Sequence, residues 1–399
     1  MREVVIVSGC RTAIGKFLGS LKDVPAKELA VTVGKEAVKR AGIPADTIDE
    51  IVLGQVFGGM QGSMVSRQIG LAVGLPLRSN ACAVNQNCGS GMRALDIACN
   101  NILLGKTDIA LVVGVENMSA APYLIPKARG GYRMGPGTLE DSMLHDGLID
   151  GLVPGHMGVT AENIAEKYGI TREECDQLAL MSHQRATRAT KEGTFKKEMV
   201  PVEIKTKKGV KLYETDEHFI PDANLEAMGK LPSAFKKGGV VTAANASGLN
   251  DAAAAVVIMS KEKALELGVK PLMKLITIVA EGVDPKYMGL GPAVAIPKAL
   301  KTAGMKFEDV DYWEINEAFA AQFLGCGRML KEEHGIEIDM NKCNLNGSGI
   351  ALGHPVGCTA LRIIVSLYYE LERQGKTVGG ASLCVGTGPA LASLWTRDI

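Results

Sequence analysis

Asp49-Glu50-Ile51-Val52-Leu53-Gly54-Gln55 has an echo later in the chain, Asp311-Tyr312-Trp313-Glu314-Ile315-Asn316-Glu317. Each copy holds an apolar strand core and follows a helix-ending pair, Ala41-Gly42 in the first case and Ala303-Gly304 in the second. Both echoes share one offset of 262 residues (303 − 41 and 311 − 49). Two more follow in the same order. Gly91-Met92-Arg93-Ala94-Leu95 is matched by Gly357-Cys358-Thr359-Ala360-Leu361, and Gly105-Lys106-Thr107 by Gly375-Lys376-Thr377, each of the last pair leading into a strand. Ordered echoes of this kind define a duplicated α/β unit. Equivalent loops of the two halves can then converge about a pseudo-twofold axis. The loop before the first repeated helix carries Cys88, and its second-half counterpart is Gly353-His354-Pro355-Val356-Gly357. A cysteine and a histidine at equivalent helix starts are thus candidates to meet.

Outward from these echoes, strand and helix patterns alternate. Val4–Val7 reads as a strand ending in a loop at Ser8–Ala13. Ala26–Ala41 is a helix with Leu29, Val33, Ala37 and Val38 on one face, stopped by Gly42. Ile51–Leu53 is a buried strand, Gly58–Ser63 a loop, Gln68–Val73 a helix, and Ile109–Val113 a strand. The alternation predicts a sheet covered on both faces. Between Ala120 and Val241 the texture changes, with glycine-rich breaks at Gly130-Gly131 and Gly135-Pro136-Gly137. One long amphipathic helix follows (Thr160–Tyr168, then Arg172–Ala189). Lysines gather at Lys196, Lys197, Lys205, Lys207, Lys208, Lys211, Lys236 and Lys237. Sheet texture resumes at Val240-Val241-Thr242, Ala252–Met259 and Leu272–Val279. The expected division is residues 1–119 with 242–270 as the first α/β half, 120–241 as an insertion, and 271–399 as the second half.

Composition narrows the function. At 399 residues the chain has room for two or three units of about 150 residues, and 46% apolar content supports large cores. Basic and acidic residues balance at 44 each, so no net field favours nucleic acid or a membrane surface. The apolar runs at Ile109–Val113 and Ala252–Met259 are far too short to span a bilayer. No signal-like segment precedes the first strand. Nine cysteines without disulfide-scaffold spacing point to a reducing, cytoplasmic compartment, and the six histidines do not fall at metal-ligand spacing, so no metal is expected.

Within Val84-Asn85-Gln86-Asn87-Cys88-Gly89-Ser90-Gly91-Met92, Asn87 and Gly89 are poor helix-interior residues, so Cys88 falls where a helix begins. Exposed N–H groups there favour negative charge and would lower the thiol pKa, producing a nucleophile. Flanking glycines would let a substrate come close. The alternative is a buried, inert thiol.

Four motifs stand in order: Asn85-x-x-Cys88-Gly89-Ser90-Gly91, Asn316-Glu317-Ala318-Phe319, Gly353-His354-Pro355-x-Gly357, and Cys384-x-Gly386. Together, on a duplicated chain with an insertion, they resemble the thiolase family in its short-chain branch. The match runs from the Arg11-Thr12 loop to the Cys384 loop. The resemblance implies a duplicated αβαβα layered fold with an inserted loop domain in the first half. It also implies acetyl-CoA C-acetyltransferase activity, the reversible Claisen condensation of two acetyl-CoA to acetoacetyl-CoA and CoA. In that chemistry Cys88 takes the acetyl group, His354 removes the thiol proton, and Cys384 abstracts the α-proton of the second acetyl-CoA. His354 and a water on Asn316 would face the enolate oxygen, and the N–H groups of Cys88 and Gly386 the acyl oxygen. An imidazole ordinarily titrates near the working pH, which suits the base role. The resemblance places Leu148, His156, Met157, Phe235, Ala243, Ser247, Ala318 and Phe319 along the acyl and pantetheine channel. CoA thioesters are then substrates, with no further cofactor and no metal, and relatives are homo-oligomers, dimers or tetramers.

Blander roles compete with each assignment: a structural His354, an Asn316 that caps backbone groups, a paired Glu317, a core thiol at Cys384, a helix-entry His156, a gap-filling Met157, and lysines on a solvated face. Ketoacyl synthases and hydroxymethylglutaryl synthases share a nucleophilic cysteine, but the second cysteine and the Asn316–Phe319 motif speak against both. The intact Cys88, His354 and Cys384 argue against a non-catalytic acyl-CoA binder. No GxGxxG follows the first strand, against a dinucleotide-dependent dehydrogenase. Two departures stand out. Relatives often carry arginine and serine at Ile220 and Ala227, where they contact adenine, and the loop Cys384-Val385-Gly386-Thr387-Gly388-Pro389 has fewer glycines than theirs.

Overall fold

A computed structural model describes residues 2–207 and 209–399; Lys208 of the lysine cluster lies outside the described residues. The first half runs β1 (Val4–Thr12), α1 (Ala26–Ala41), β2 (Glu50–Gly54), α2 (Val65–Val73), β3 (Asn80–Val84), α3 (Ser90–Leu103) and β4 (Ile109–Asn117). Helices α4 (Met157–Tyr168) and α5 (Arg172–Glu192) follow, then β5 (Asn250–Ser260). The second half comprises β6 (Met273–Gly282), α6 (Gly291–Ala303), β7 (Tyr312–Ile315), α7 (Ala320–His334), α8 (Val356–Gln374), β8 (Val378–Cys384) and β9 (Pro389–Thr396).

The sheet order is β7-β8-β9-β6-β1-β5-β4-β2-β3. Read from the β6–β1 junction it is a palindrome. β1, β5, β4 and β2 correspond to β6, β9, β8 and β7, with parallel and antiparallel pairings in the same places; β3 is an extra edge strand. Strand β1 shows why both faces must be covered. Val4 and Ile6 enter the central core, while Val5 and Val7 enter the outer one. Helices α3 and α8 pack on each other in the middle layer, α3 against β2 and β4, α8 against β4, β5 and β8. Outside, α1 covers β1, β4 and β5, and α6 covers β6 and β9. Buried leucines and isoleucines of the middle layer, such as Leu95, Leu361 and Ile364, each contribute about 1.5–3 kcal/mol. The seam tolerates no bulk: a Cβ on Gly91 would lie 2.8 Å from the backbone nitrogen of Leu361.

Three expectations are corrected. Ser8–Thr12 is strand, not loop, because its polar groups are satisfied inside. Ser8 Oγ donates to Ala37, and Arg11 pairs with Glu198 and Asp216. The single long helix is two, α4 and α5, broken where Gly169 takes a left-handed conformation; a Thr171–Glu174 capping box restarts it. Val240–Thr242 is not a strand. The N–H groups of Val240 and Val241 are taken by the Glu162 carboxylate and that of Thr242 by Asn245 Oδ1, so none is left for a sheet. Among the described residues no helix is long and apolar enough to cross a membrane.

Candidate active site

Cys88 lies two residues before α3, buried at 7% exposure. The loop that delivers it is held by its own side chains. Asn87 is left-handed, with φ of 43°, its N–H donating to Asn85 Oδ1. Ser90 Oγ donates to the Asn87 carbonyl and accepts from the Gln86 N–H. The neighbouring glycine serves the fold rather than substrate entry: a Cβ on Gly89 would fall 2.7 Å from Leu391 and 2.9 Å from Val385 of the second half. The expected low thiol pKa is also corrected. Burial pushes the Cys88 thiol up to about 11, against hydrogen bonds from the N–H groups of Gly386 and Cys88, with the nearby Glu116 adding to the rise. Desolvation outweighs the helix start.

His354 precedes α8 as Cys88 precedes α3. Its backbone N–H donates to Asn250 Oδ1 at 2.9 Å. Its Nδ1 lies 2.6 Å from Thr359 Oγ1, whose own proton goes to the Pro355 carbonyl at 3.0 Å. The hydroxyl therefore accepts, Nδ1 carries the ring proton, and Nε2 keeps its lone pair. Nε2 is buried with no hydrogen-bond partner among the described residues. Burial, with a smaller push from Arg362, lowers the imidazole to about 3, so it stays neutral far below the range an exposed histidine would imply.

Cys384 ends β8, 1% exposed, and its thiol is held well above the ordinary value by burial, with the neighbouring Cys88 adding to the rise. Asn316 follows β7 and is fully buried, both polar atoms of its side chain unpartnered among the described residues. Glu317 is occupied by Ser182 Oγ and Asn344 Nδ2. A Cβ on Gly386 would fall 2.1 Å from Met157 Cε and 2.8 Å from Asn87 Nδ2, so both side chains would have to shift to admit one. The next residue, Thr387, takes the left-handed conformation with φ of 70° that glycine would hold without strain.

Three of these groups share one cavity of about 350 Å³. Cys88, His354 and Cys384 line it, together with Leu148, His156, Met157, Phe235, Ala243, Ser247, Ala318 and Phe319. Asn316 and Gly386 are not among its lining residues, although Gly386 reaches Cys88 through its N–H. His156 caps α4 by accepting from the Gly158 N–H and stacks on Phe235 at 4.5 Å, with Phe319 set edge-on to that ring at 6.1 Å. The wall is mostly apolar, as an acyl and pantetheine arm requires. Met118, Leu144, Met288 and Val356 also line it; they stand outside the motifs or at a motif's variable position, and only the folded chain brings them there. Thr359 and Asn250, which orient His354, were equally hidden, although Thr359 lies inside a repeated pentapeptide.

Ile220 and Ala227 lie away from this cavity, both exposed. The lysines around them divide. Lys230 pairs with Glu226 and Lys236 with Glu166, while Lys205, Lys207 and Lys211 are exposed on a two-stranded hairpin.

A duplicated sheet with a cysteine and a histidine at paired helix starts, and a second cysteine at a strand end, defines a class of acyltransferases. The chain belongs to the thiolase family: its residues 4–262 match the family's "Thiolase, N-terminal domain" and residues 269–397 its "Thiolase, C-terminal domain". It is 49% identical over 393 residues, 98% of each chain, to an acetyl-CoA acetyltransferase of Syntrophomonas wolfei. A solved acetyl-CoA acetyltransferase structure from that organism superposes with a TM-score of 0.99 at 65% identity, covering 100% of both chains. The human mitochondrial 3-ketoacyl-CoA thiolase in complex with CoA gives 0.95 at 38% identity, covering 100% of this chain and 98% of that one.

Proposed function

We propose that this acyltransferase condenses two acetyl-CoA into acetoacetyl-CoA and CoA, and runs the reverse thiolysis, through an acetyl-Cys88 intermediate. The observation that carries this reading is the convergence of Cys88, His354 and Cys384 on one apolar cavity, with His354 Nε2 unpartnered among the described residues. With thiol and imidazole both neutral at rest, the proton passes from sulfur to Nε2 as sulfur attacks the thioester carbonyl, so no free thiolate accumulates. The carbonyl oxygen gains charge against the N–H groups of Cys88 and Gly386, and CoA leaves as its thiol with the proton of Cys384, which becomes a thiolate. The second acetyl-CoA loses an α-proton to the Cys384 thiolate so formed, which restores that thiol. The enolate oxygen is held by His354 and, through a water, by Asn316, whose buried amide has no other partner among the described residues. The enolate carbon then attacks acetyl-Cys88 and expels its sulfur, which takes back the proton held on Nε2 as acetoacetyl-CoA leaves.

The coenzyme enters past His156 and Phe235, with Met157 against Gly386 closing the acyl end. The substrates are CoA thioesters, and no further cofactor takes part. We assign 1–119 with 242–270 and 271–399 as the two catalytic halves, 120–241 as the insertion that covers the cleft, the cytoplasm as the location, and a homo-oligomer as the assembled state. The decisive experiment is mass spectrometry after acetyl-CoA treatment. One acetyl group on the Cys88 peptide is expected, and none in Cys88→Ala; a label confined to another peptide would refute the nucleophile assignment.

A further inference from the structure

Beneath the cleft, one carboxylate joins the two halves. Glu116 lies at the end of β4, fully buried. Its Oε1 accepts from the Phe57 N–H at 3.0 Å, and its Oε2 accepts from the N–H groups of Val56 at 3.0 Å and Gly357 at 2.9 Å. Val56 and Phe57 belong to the loop after β2 in the first half. Gly357 is the second residue of α8 in the second half, three positions beyond His354. That helix begins after Pro355, which offers no side-chain cap. Glu116 thus caps α8 from the other half of the molecule, satisfying a donor the helix leaves open. The fit is close: a Cβ on Gly357 would fall 2.6 Å from Glu116 Oε2.

We infer that Glu116 is a positioning residue for the acyl-transfer chemistry, its carboxylate locking the His354 helix start against the first half beside Cys88. The inference rests on the assignment of Cys88 and His354 as nucleophile and base. Losing the bonds to Glu116 would loosen this helix start from the first half and leave the aim of Nε2 to Asn250 and Thr359. The same carboxylate acts on the thiol, since its charge raises the Cys88 pKa. A negative charge at the start of α8 also offsets the helix dipole that would otherwise weaken His354 as a base.

The carboxylate has a protonation state to lose. Burial raises Glu116 to about 7, against the three N–H bonds, with Asp251 adding to the rise. The ionisable groups around it are Asp251 on β5, Cys88 before α3, and Cys358 on α8, which also feels Arg362 and Arg11. The three bonds need the anion, because a carboxylic acid turns one oxygen into a competing donor. Turnover should therefore rise as pH climbs through about 7 and level off above it.

The test measures thiolysis across about pH 6–9 in wild type, E116Q and E116D. In E116Q an amide nitrogen must face at least one N–H donor. We expect kcat at high pH to fall about tenfold, as when a buried donor loses its acceptor, with KM for the thioester within about twofold. The step near neutrality should vanish, whereas E116D, which keeps the charge, should keep a step. A merely structural role would lower activity without removing the step. Unchanged kcat in E116Q, or a step that survives in it, overturns the inference. If E116Q does not fold, the wild-type profile decides, a flat one being the overturning result. The acetyl label on wild-type Cys88 tests the underlying reading separately: a label elsewhere sinks that reading, while a label on Cys88 with an unaffected E116Q sinks only this one.

Discussion

Replacing Thr359 by valine exchanges one hydroxyl for one methyl at a fully buried site, so little changes except two hydrogen bonds. One is donated to the Pro355 carbonyl, which still accepts from the N–H groups of Cys358 and Thr359. The other is the short one accepted from His354 Nδ1, 2.6 Å long. Without it the Nδ1–H faces carbon, and an unsatisfied buried donor costs about 1–3 kcal/mol. The ring can escape the cost by moving its proton to Nε2, but then no lone pair faces Cys88. By either route the competent tautomer lies higher by that amount. Acetylation should then slow about 5- to 150-fold, at 1.4 kcal/mol per factor of ten. The assay is rapid-quench acetylation by acetyl-CoA, followed by the intact mass of the protein. Thr359→Ser keeps the hydroxyl and should recover most of the rate. Thr359→Val acetylating as fast as wild type would refute the claim that this hydroxyl sets the tautomer.

Further outcomes follow from the same geometry. Cys384→Ala should still accept acetyl from acetyl-CoA yet neither condense nor exchange the α-proton with deuterated water, and condensation at the wild-type rate would remove Cys384 as the base. Because burial holds the Cys88 thiol at about 11, its alkylation by iodoacetamide in the free enzyme should climb about tenfold per pH unit from neutrality upward. A plateau already reached by about pH 8 would mean a resting thiolate–imidazolium pair instead. Ile220→Arg places a guanidinium where relatives hold adenine, and cation–π contact at an exposed site is worth about 0.5–1 kcal/mol. Calorimetry should then show CoA binding about two- to fivefold tighter with kcat nearly unchanged; no gain would show that the nucleotide is held elsewhere.

How much of this was legible beforehand depends on the range of the interaction. Periodicity and helix-stop glycines are local, so α1 could be read to its ends, and the offset of the echoes was enough to announce two equivalent halves. The motifs marked Cys88, His354, Asn316 and Cys384 because their residue types and order carry chemistry. Strand ends were less readable: Ser8–Thr12 looks polar until Arg11 finds Glu198 and Asp216 from a segment some two hundred residues away. Val240–Thr242 looks apolar until Glu162 takes its N–H groups.

Protonation was beyond the reach of sequence altogether. A cysteine at a helix start and a histidine in a loop both read as groups that ionise near neutrality. Only the packing of α3 against α8 shows them buried, so that desolvation drives the thiol up and the imidazole down. The tautomer of His354 belongs to Thr359, one turn along α8, and the position of that helix start to Glu116, on a strand of the other half. Amino-acid order alone determined which groups are present and that two copies of one unit would bring them face to face. Tertiary structure decided their charge, tautomer and aim, because those depend on the dielectric and the hydrogen-bond partners that distant segments supply.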